Sequence, residues 1–428
     1  MTSIDLFRSA ARQAARKAAR RMGVLGAVTA AITLAACSDT ASVTAGPTPV
    51  NPLFRSYVAL GNSITAGYQS GGINDSTQRE SYAHLFAMQV NTRYAYASLA
   101  GAGCPPPVIL FPVTRADTTT CSLRNPASIT DALNNVAVPG ATSYDPTAAS
   151  TPFSNALTTF ILGGKTQVQR AADARPTFVS AWIGNNDVLA AAISGILVPA
   201  TVQSLGLSPT DTTTVSPGLT DTTTFKTNYD AMITGLNAIG TIKGGALIGV
   251  VNVTATPILF PAAALANPAF KAGFDQYVGT PTTIHPSCTG STSLISFRIV
   301  SAIRTGQHPA IIACSKNAVP GTPIGDIFVL DAAEQATLLA TVASYNAHIQ
   351  SVATTQGWAY YDPNTTLATL IGNGCILPVM NLASQTQTFG ACVSLDGVHP
   401  SGLAHKAIAN DLIDAVNAKY GTSVAHVQ

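Results

Sequence analysis

Charge is scarce in this chain, and long apolar runs are missing. Asp, Glu, Lys and Arg make up 10% of its 428 residues, too few for the broad basic surface that nucleic-acid phosphates demand. No run reaches the roughly 20 apolar residues that a membrane-spanning helix needs. C-x-x-C and paired Cys/His spacings are absent, so no zinc site or other metal ligand set is expected. H-E-x-x-H is absent too, which excludes the common zinc-protease layout. Neither G-x-S-x-G nor S-x-x-K occurs, and two familiar serine-hydrolase layouts go with them. None of these patterns implies a cofactor.

The basic residues that do occur cluster at the start, as Arg8, Arg12, Arg16, Lys17, Arg20 and Arg21. A modest apolar run over residues 22–36 follows and ends Leu34-Ala35-Ala36-Cys37. A positive segment, a short apolar segment and small residues before the cut are the marks of a secretory signal, here residues 1–36. The Leu-Ala-Ala-Cys ending resembles a bacterial lipobox. That resemblance implies a lipid on Cys37, a membrane anchor through it, and a place in the cell envelope. Ser38 resembles the neighbour found in outer-membrane lipoproteins, and Arg20-Arg21 leaves twin-Arg export open.

Six of the 22 Lys and Arg and one of the 20 acids precede Cys37, which leaves 16 against 19 and moves the formal balance from +2 to −3. The basic character therefore belongs to the export signal. Residues 37–52 are rich in Ser, Thr and Pro and read as a tether. Beyond Cys37 six cysteines remain, and an even count in an exported chain reads as disulfides. Pairing sequence neighbours, Cys104 with Cys121, Cys288 with Cys314 and Cys375 with Cys392, would close three local loops.

Residues 53–428 read as one α/β domain. Apolar segments at 56–60, 94–99, 177–183, 246–253 and 358–361 have the continuous character of strands buried on both faces. Helix patterns fall at 81–90, 152–162, 187–196, 225–239, 332–355 and 403–419. Alternation of this kind predicts βαβ units and a three-layer α/β/α sandwich around a mostly parallel five-stranded sheet. Segments near 101–126, 197–224 and 257–326 break the alternation and read as insertions around the mouth of a site, the second as turns or an edge hairpin.

The chemistry gathers at strand ends. One apolar run passes into Gly61-Asn62-Ser63, which places a serine just past a strand's carboxyl end, where open α/β sheets carry their ligands. A second passes into Gly184-Asn185-Asn186-Asp187. Asn186 there can donate its amide to a developing oxyanion, and Asp187 is expected to cap the next helix. Pro139-Gly140-Ala141 is a tight turn whose Gly140 can offer an uncovered N–H. Near the end, Asp396-Gly397-Val398-His399-Pro400 supplies an imidazole with a carboxylate three residues before it, able to fix its tautomer and stabilise its charge. His405 is the nearby alternative, set inside a helix pattern.

The order G-N-S, P-G-A, G-N-N-D, D-G-V-H-P resembles the four blocks of the SGNH hydrolases, also called the GDSL esterase/lipase family. The resemblance implies a flavodoxin-like sheet, Ser63 as nucleophile, His399 as base and Asp396 as its orienter. It also implies an oxyanion hole from the Ser63 N–H, the Gly140 N–H and the Asn186 side chain. Asn62 stands where the name-giving motif has Asp. Asn keeps the turn-forming hydrogen bond and loses only a charge outside the triad. The implied activity is ester hydrolysis on a small-molecule or lipid ester, with carbohydrate O-deacetylation and a non-catalytic surface-binding lipoprotein as alternatives.

Overall fold

A computed structural model describes residues 47–428 apart from 113, 116–123, 130–131, 202, 206–208, 317 and 319–326. Cys37, the signal and most of the tether lie outside the described residues, as does Cys121. Residues Pro49–Gln428 form one compact unit. No helix among the described residues is long and apolar enough to cross a membrane.

Four strands build the central sheet: β1 (Tyr57–Gly61), β2 (Phe178–Trp182), β3 (Gly244–Ile248) and β4 (Ala359–Tyr361). They lie in sequence order, all parallel, with Tyr57 opposite Phe178, Phe178 opposite Gly244 and Ala359 opposite Ala246. These match four of the five expected strands. The fifth expectation, residues 94–99, is not a strand. Residues 134–138 take the place beside β1 instead: the Ala59 N–H donates to Asn134 O at 2.7 Å, and Val136 and Val138 donate to Ala59 O and Gly61 O at 3.0 and 3.1 Å. The reason is Asn134. Its amide donates to Tyr57 O at 2.7 Å and its oxygen accepts the Ala95 N–H at 2.9 Å, so the 94–99 segment docks on that side chain and never reaches the sheet.

The principal helices around the sheet are α1 (Ser63–Ala66), α2 (Tyr82–Gln89), α3 (Gln167–Asp173), α4 (Asn186–Ser194), α5 (Thr222–Ala238), α6 (Ala332–Gln356), α7 (Pro363–Gly372) and α8 (Gly402–Tyr420). Period-two alternation sorts the strand residues to two faces. Tyr57, Ala59, Phe178 and Trp182 pack with Phe86 of α2 and with Leu412 and Ile413 of α8. Val58, Leu60, Val179 and Ala181 pack with Met232 and Leu236 of α5 and with Tyr345 and Ile349 of α6. The expected three-layer α/β/α sandwich is the result. Local sequence sets the helix starts: Asp221 accepts the Thr223 and Thr224 N–H groups ahead of α5, and Asp331 and Glu334 form a capping box ahead of α6.

The insertions carry structure of their own. Ala200–Thr201 and Thr214–Ser216 pair as an antiparallel hairpin. In the third insertion Leu259–Pro261, Leu294–Ser296 and the following Val329–Leu330 form a small antiparallel sheet, with helices Pro268–Val278 and Ile299–Arg304 beside it. Cys288–Cys314 and Cys375–Cys392 are disulfides, as expected. Cys104 is disulfide-bonded as well.

Candidate active site

Ser63 is the first residue of α1, two residues beyond the end of β1. Gly61 is required at the strand's end because a Cβ there would lie 2.4 Å from Thr65 Oγ1 and 2.7 Å from Trp182 O. The Gln167 side chain grips the same residue twice, accepting its N–H at 2.9 Å and donating to its carbonyl at 3.0 Å. Asn62 then turns the chain, its Oδ1 accepting the Ile64 N–H at 3.1 Å, so the substitution of Asn for Asp keeps the cap. This fixed exit aims Ser63 at the loop that carries His399.

His399 Nε2 lies 2.8 Å from Ser63 Oγ, and His399 Nδ1 lies 2.8 Å from Asp396 Oδ2. The Asp396 Oδ2 also accepts the Gly71 N–H at 2.7 Å, while its Oδ1 accepts the Val398 and His399 N–H groups, both at 2.8 Å. Burial alone would raise the Asp396 pKa. The attraction of His399 and these hydrogen bonds outweigh it and hold the carboxyl well below the usual carboxylate range. An ionised carboxylate only accepts, so Nδ1 carries the imidazole proton and Nε2 is left to accept from the Ser63 hydroxyl.

Asn186 opens α4, and its Nδ2 donates to Ala141 O at 2.9 Å, which leaves one amide hydrogen. The Pro139-Gly140-Ala141 turn is pinned by the Asn155 amide on Pro139 O at 2.8 Å and by the Ala141 N–H on Val138 O at 3.1 Å. Gly140 sits at φ +88°, a conformation that suits glycine. The Ser63 and Gly140 N–H groups find no acceptor among the described residues. Since the Val138 N–H bonds Gly61 O and Gly61 stands opposite Trp182, these N–H groups and Asn186 leave adjoining strand ends.

One expectation is corrected. Asp187 does not cap α4: the N-cap is Asn185, whose side chain makes no capping bond and accepts the Val251 N–H at 3.1 Å. Asp187 is instead buried beside the segment that follows the Pro139-Gly140-Ala141 turn, where it accepts the Ser143 N–H at 2.8 Å and the Ser143 hydroxyl at 2.6 Å. Ser143 offers those two donors, which is why the carboxylate faces inward. Burial pushes its pKa up to about 6, against the pull of the Ser143 hydrogen bonds.

His405 is not a rival base. It is fully buried, its Nδ1 accepts the Tyr82 N–H at 3.2 Å, and burial pushes its pKa down to about 3. Two further His–Asp pairs, His348 with Asp230 and His426 with Asp414, lie elsewhere in the unit. Among the described residues only the His399 pair meets a serine hydroxyl. No group of His, Cys, Asp and Glu among them could hold a metal ion.

Sequence reasoning missed Gln167, Ser70, Gly71 and Tyr68. The Ser70 N–H donates to Ser394 Oγ at 2.8 Å and Ser70 Oγ accepts the Leu395 N–H at 3.0 Å, docking the 70–71 turn on the Asp396 loop. The Tyr68 ring lies 5.0 Å from the His399 ring. Nothing local to Ser70-Gly71-Gly72 points to a partner more than 300 residues away.

An α/β sandwich with serine, imidazole and carboxylate in line at one sheet edge defines the class, a carboxylic ester hydrolase. Residues 57–412 match the family model for the GDSL-like lipase/acylhydrolase, and the chain belongs to that family. Among solved structures it is similar to an acetylxylan esterase from Geobacillus stearothermophilus, at 12% identity and TM-score 0.36 over 87% of this chain and 97% of that one. It is similar also to an extracellular lipase from Streptomyces rimosus, at 15% identity and TM-score 0.33 over 84% and 99%. Among curated proteins no sequence matches.

Proposed function

We propose that the protein is an exported serine esterase that cleaves carboxylic esters through an acyl-enzyme on Ser63. The observation that carries this reading is the unbroken line from Ser63 Oγ through His399 to Asp396, with both contacts at 2.8 Å. His399 takes the Ser63 proton as Oγ attacks the ester carbonyl, and Asp396 stabilises the imidazolium. The Ser63 and Gly140 N–H groups and the free hydrogen of Asn186 receive the oxyanion. Collapse of the tetrahedral intermediate expels the alcohol with the proton from His399. Water, deprotonated by the same imidazole, then releases the acid and restores Ser63. Lipid attachment at Cys37 and the tether of residues 37–52 would hold the enzyme at the cell envelope; radiolabelled palmitate incorporation that is lost in Cys37→Ala tests this. For the chemistry, Ser63→Ala and His399→Ala should each cut kcat on a p-nitrophenyl ester by at least ~10³. Retention of wild-type turnover in either variant contradicts the assignment.

A further inference from the structure

The two backbone donors of the oxyanion site leave a single ladder. Ala59 donates to Asn134 O and accepts the Val136 N–H, and Gly61 O accepts the Val138 N–H at 3.1 Å. A regular parallel ladder would continue by sending the Gly61 N–H to Val136 O. It does not. The Gly61 N–H donates to Gln167 Oε1 at 2.9 Å, and Gln167 Nε2 joins the Val138 N–H on Gly61 O at 3.0 Å. The side-chain amide takes the last rung of the ladder for itself. Beyond that rung the two segments part, and each presents its donor two residues on: Ser63 after Gly61, Gly140 after Val138.

Gln167 is held as firmly as it holds. It is fully buried and opens α3, whose start is fixed by a capping box between Thr166 and Gln169. The next residue, Val168, donates its N–H to Pro146 O at 3.1 Å. Pro146 belongs to the chain running on from the oxyanion turn. That chain is closed by Asp145 Oδ2, which accepts both the N–H and the hydroxyl of Thr142 at 2.7 Å. One helix start therefore ties the nucleophile's strand end, through Gln167, to the segment that follows the Gly140 turn, through Val168.

We propose that Gln167 is a positioning residue for the esterase reaction, its amide setting the spacing between the Ser63 and Gly140 N–H groups of the oxyanion hole. It does not touch the ester. The spacing counts only once charge has gathered on the carbonyl oxygen, so Gln167 acts on the transition state and leaves substrate binding nearly alone. The proposal rests on Ser63 as the site of ester cleavage.

The test compares the wild-type protein with Gln167→Met, which keeps the side chain's length and removes both hydrogen bonds. It measures kcat and KM on p-nitrophenyl acetate, and Ki for phenylboronic acid, which forms a tetrahedral anion on an activated serine. The expected result is a kcat lower by about 10–100-fold with KM within about twofold, and a boronate Ki weakened in step with kcat. Circular dichroism at the assay temperature shows that the variant is folded. Gln167→Glu, which when ionised still accepts the Gly61 N–H but gives Gly61 O no donor, serves should methionine prevent folding. A folded variant with a lowered Tm and wild-type kcat overturns the proposal and leaves Gln167 a support of the fold alone. A boronate Ki that does not move overturns it too, whichever of kcat and KM changes. Failure of the wild-type protein to hydrolyse the ester overturns the esterase reading itself, and the proposal with it.

Discussion

The Gly71 N–H donates at 2.7 Å to Asp396 Oδ2, the same oxygen that meets His399 Nδ1 at 2.8 Å. The carboxylate is thus held from two sides by segments 325 residues apart in the chain. Its partner turn is itself docked by Ser70 and Ser394. Orientation of the base depends on that docking as much as on the three-residue spacing within its own loop.

Removing the dock should slow the chemistry and leave binding nearly alone. Ser394→Ala strips the acceptor from the Ser70 N–H, and kcat on a p-nitrophenyl ester is expected to fall by about tenfold with KM within about twofold. Ser394→Thr keeps the hydroxyl and should recover most of the loss. A change confined to KM would point away from a positioning role.

The oxyanion assignment makes a larger claim. Asn186→Ala should cost ~10²–10³ in kcat, and circular dichroism should show that the fold is retained. Wild-type turnover in this variant would remove Asn186 from the oxyanion hole.

Asp187 gives stability a pH signature. Its pKa, pushed up to about 6 by burial, exceeds that of the same carboxyl in the unfolded chain. Between the two values the folded state binds the proton and the unfolded state releases it. Stability therefore falls as pH rises from about 4 to about 6, by about 3 kcal/mol from this residue alone. Asp396 acts in the opposite sense, because its depressed pKa stabilises the fold above about pH 4 and the contribution is lost as the medium turns more acidic. Urea titrations across pH 4–7 should show the Asp187 slope in the wild-type protein and a flatter profile in Asp187→Asn. An unchanged profile would mean the buried carboxyl does not titrate in that window.

The Cys375–Cys392 disulfide closes a short loop immediately before the His399 segment, and the Ser401 N–H donates to Cys392 O at 3.0 Å. Replacing both cysteines by serine should destabilise the fold by ~3 kcal/mol, the loop-closure value for a separation of this size. Differential scanning calorimetry reads it directly. A Tm within about 1 °C of wild type, against the ~1.3 °C expected per kcal/mol for a unit of this size, would show that the bridge contributes little.

What can be read from the sequence is local. Asn62 capping the turn after β1, the Asp396–His399 spacing and glycines at strand ends are each written within a few residues, so the residues that meet as Ser63, His399 and Asp396 and their sheet edge are legible in the sequence alone. The features that escape such a reading depend on distant partners. Residues 94–99 have strand-like side chains, yet Asn134 engages the backbone at Ala95 and the edge position goes to residues 134–138. Asp187 has the sequence position of a cap, yet Ser143, 44 residues earlier, offers two better donors. Gln167 grips Gly61 from 106 residues away, with no pattern near either residue to announce the pair.

The central claim is that Ser63 is the activated nucleophile. Treating the folded protein with a fluorophosphonate and mapping the adduct by peptide mass spectrometry tests it most directly. The account predicts one stoichiometric adduct on Ser63, abolished in His399→Ala and in heat-unfolded protein. An unlabelled Ser63, or an adduct that forms equally well without His399, would contradict it.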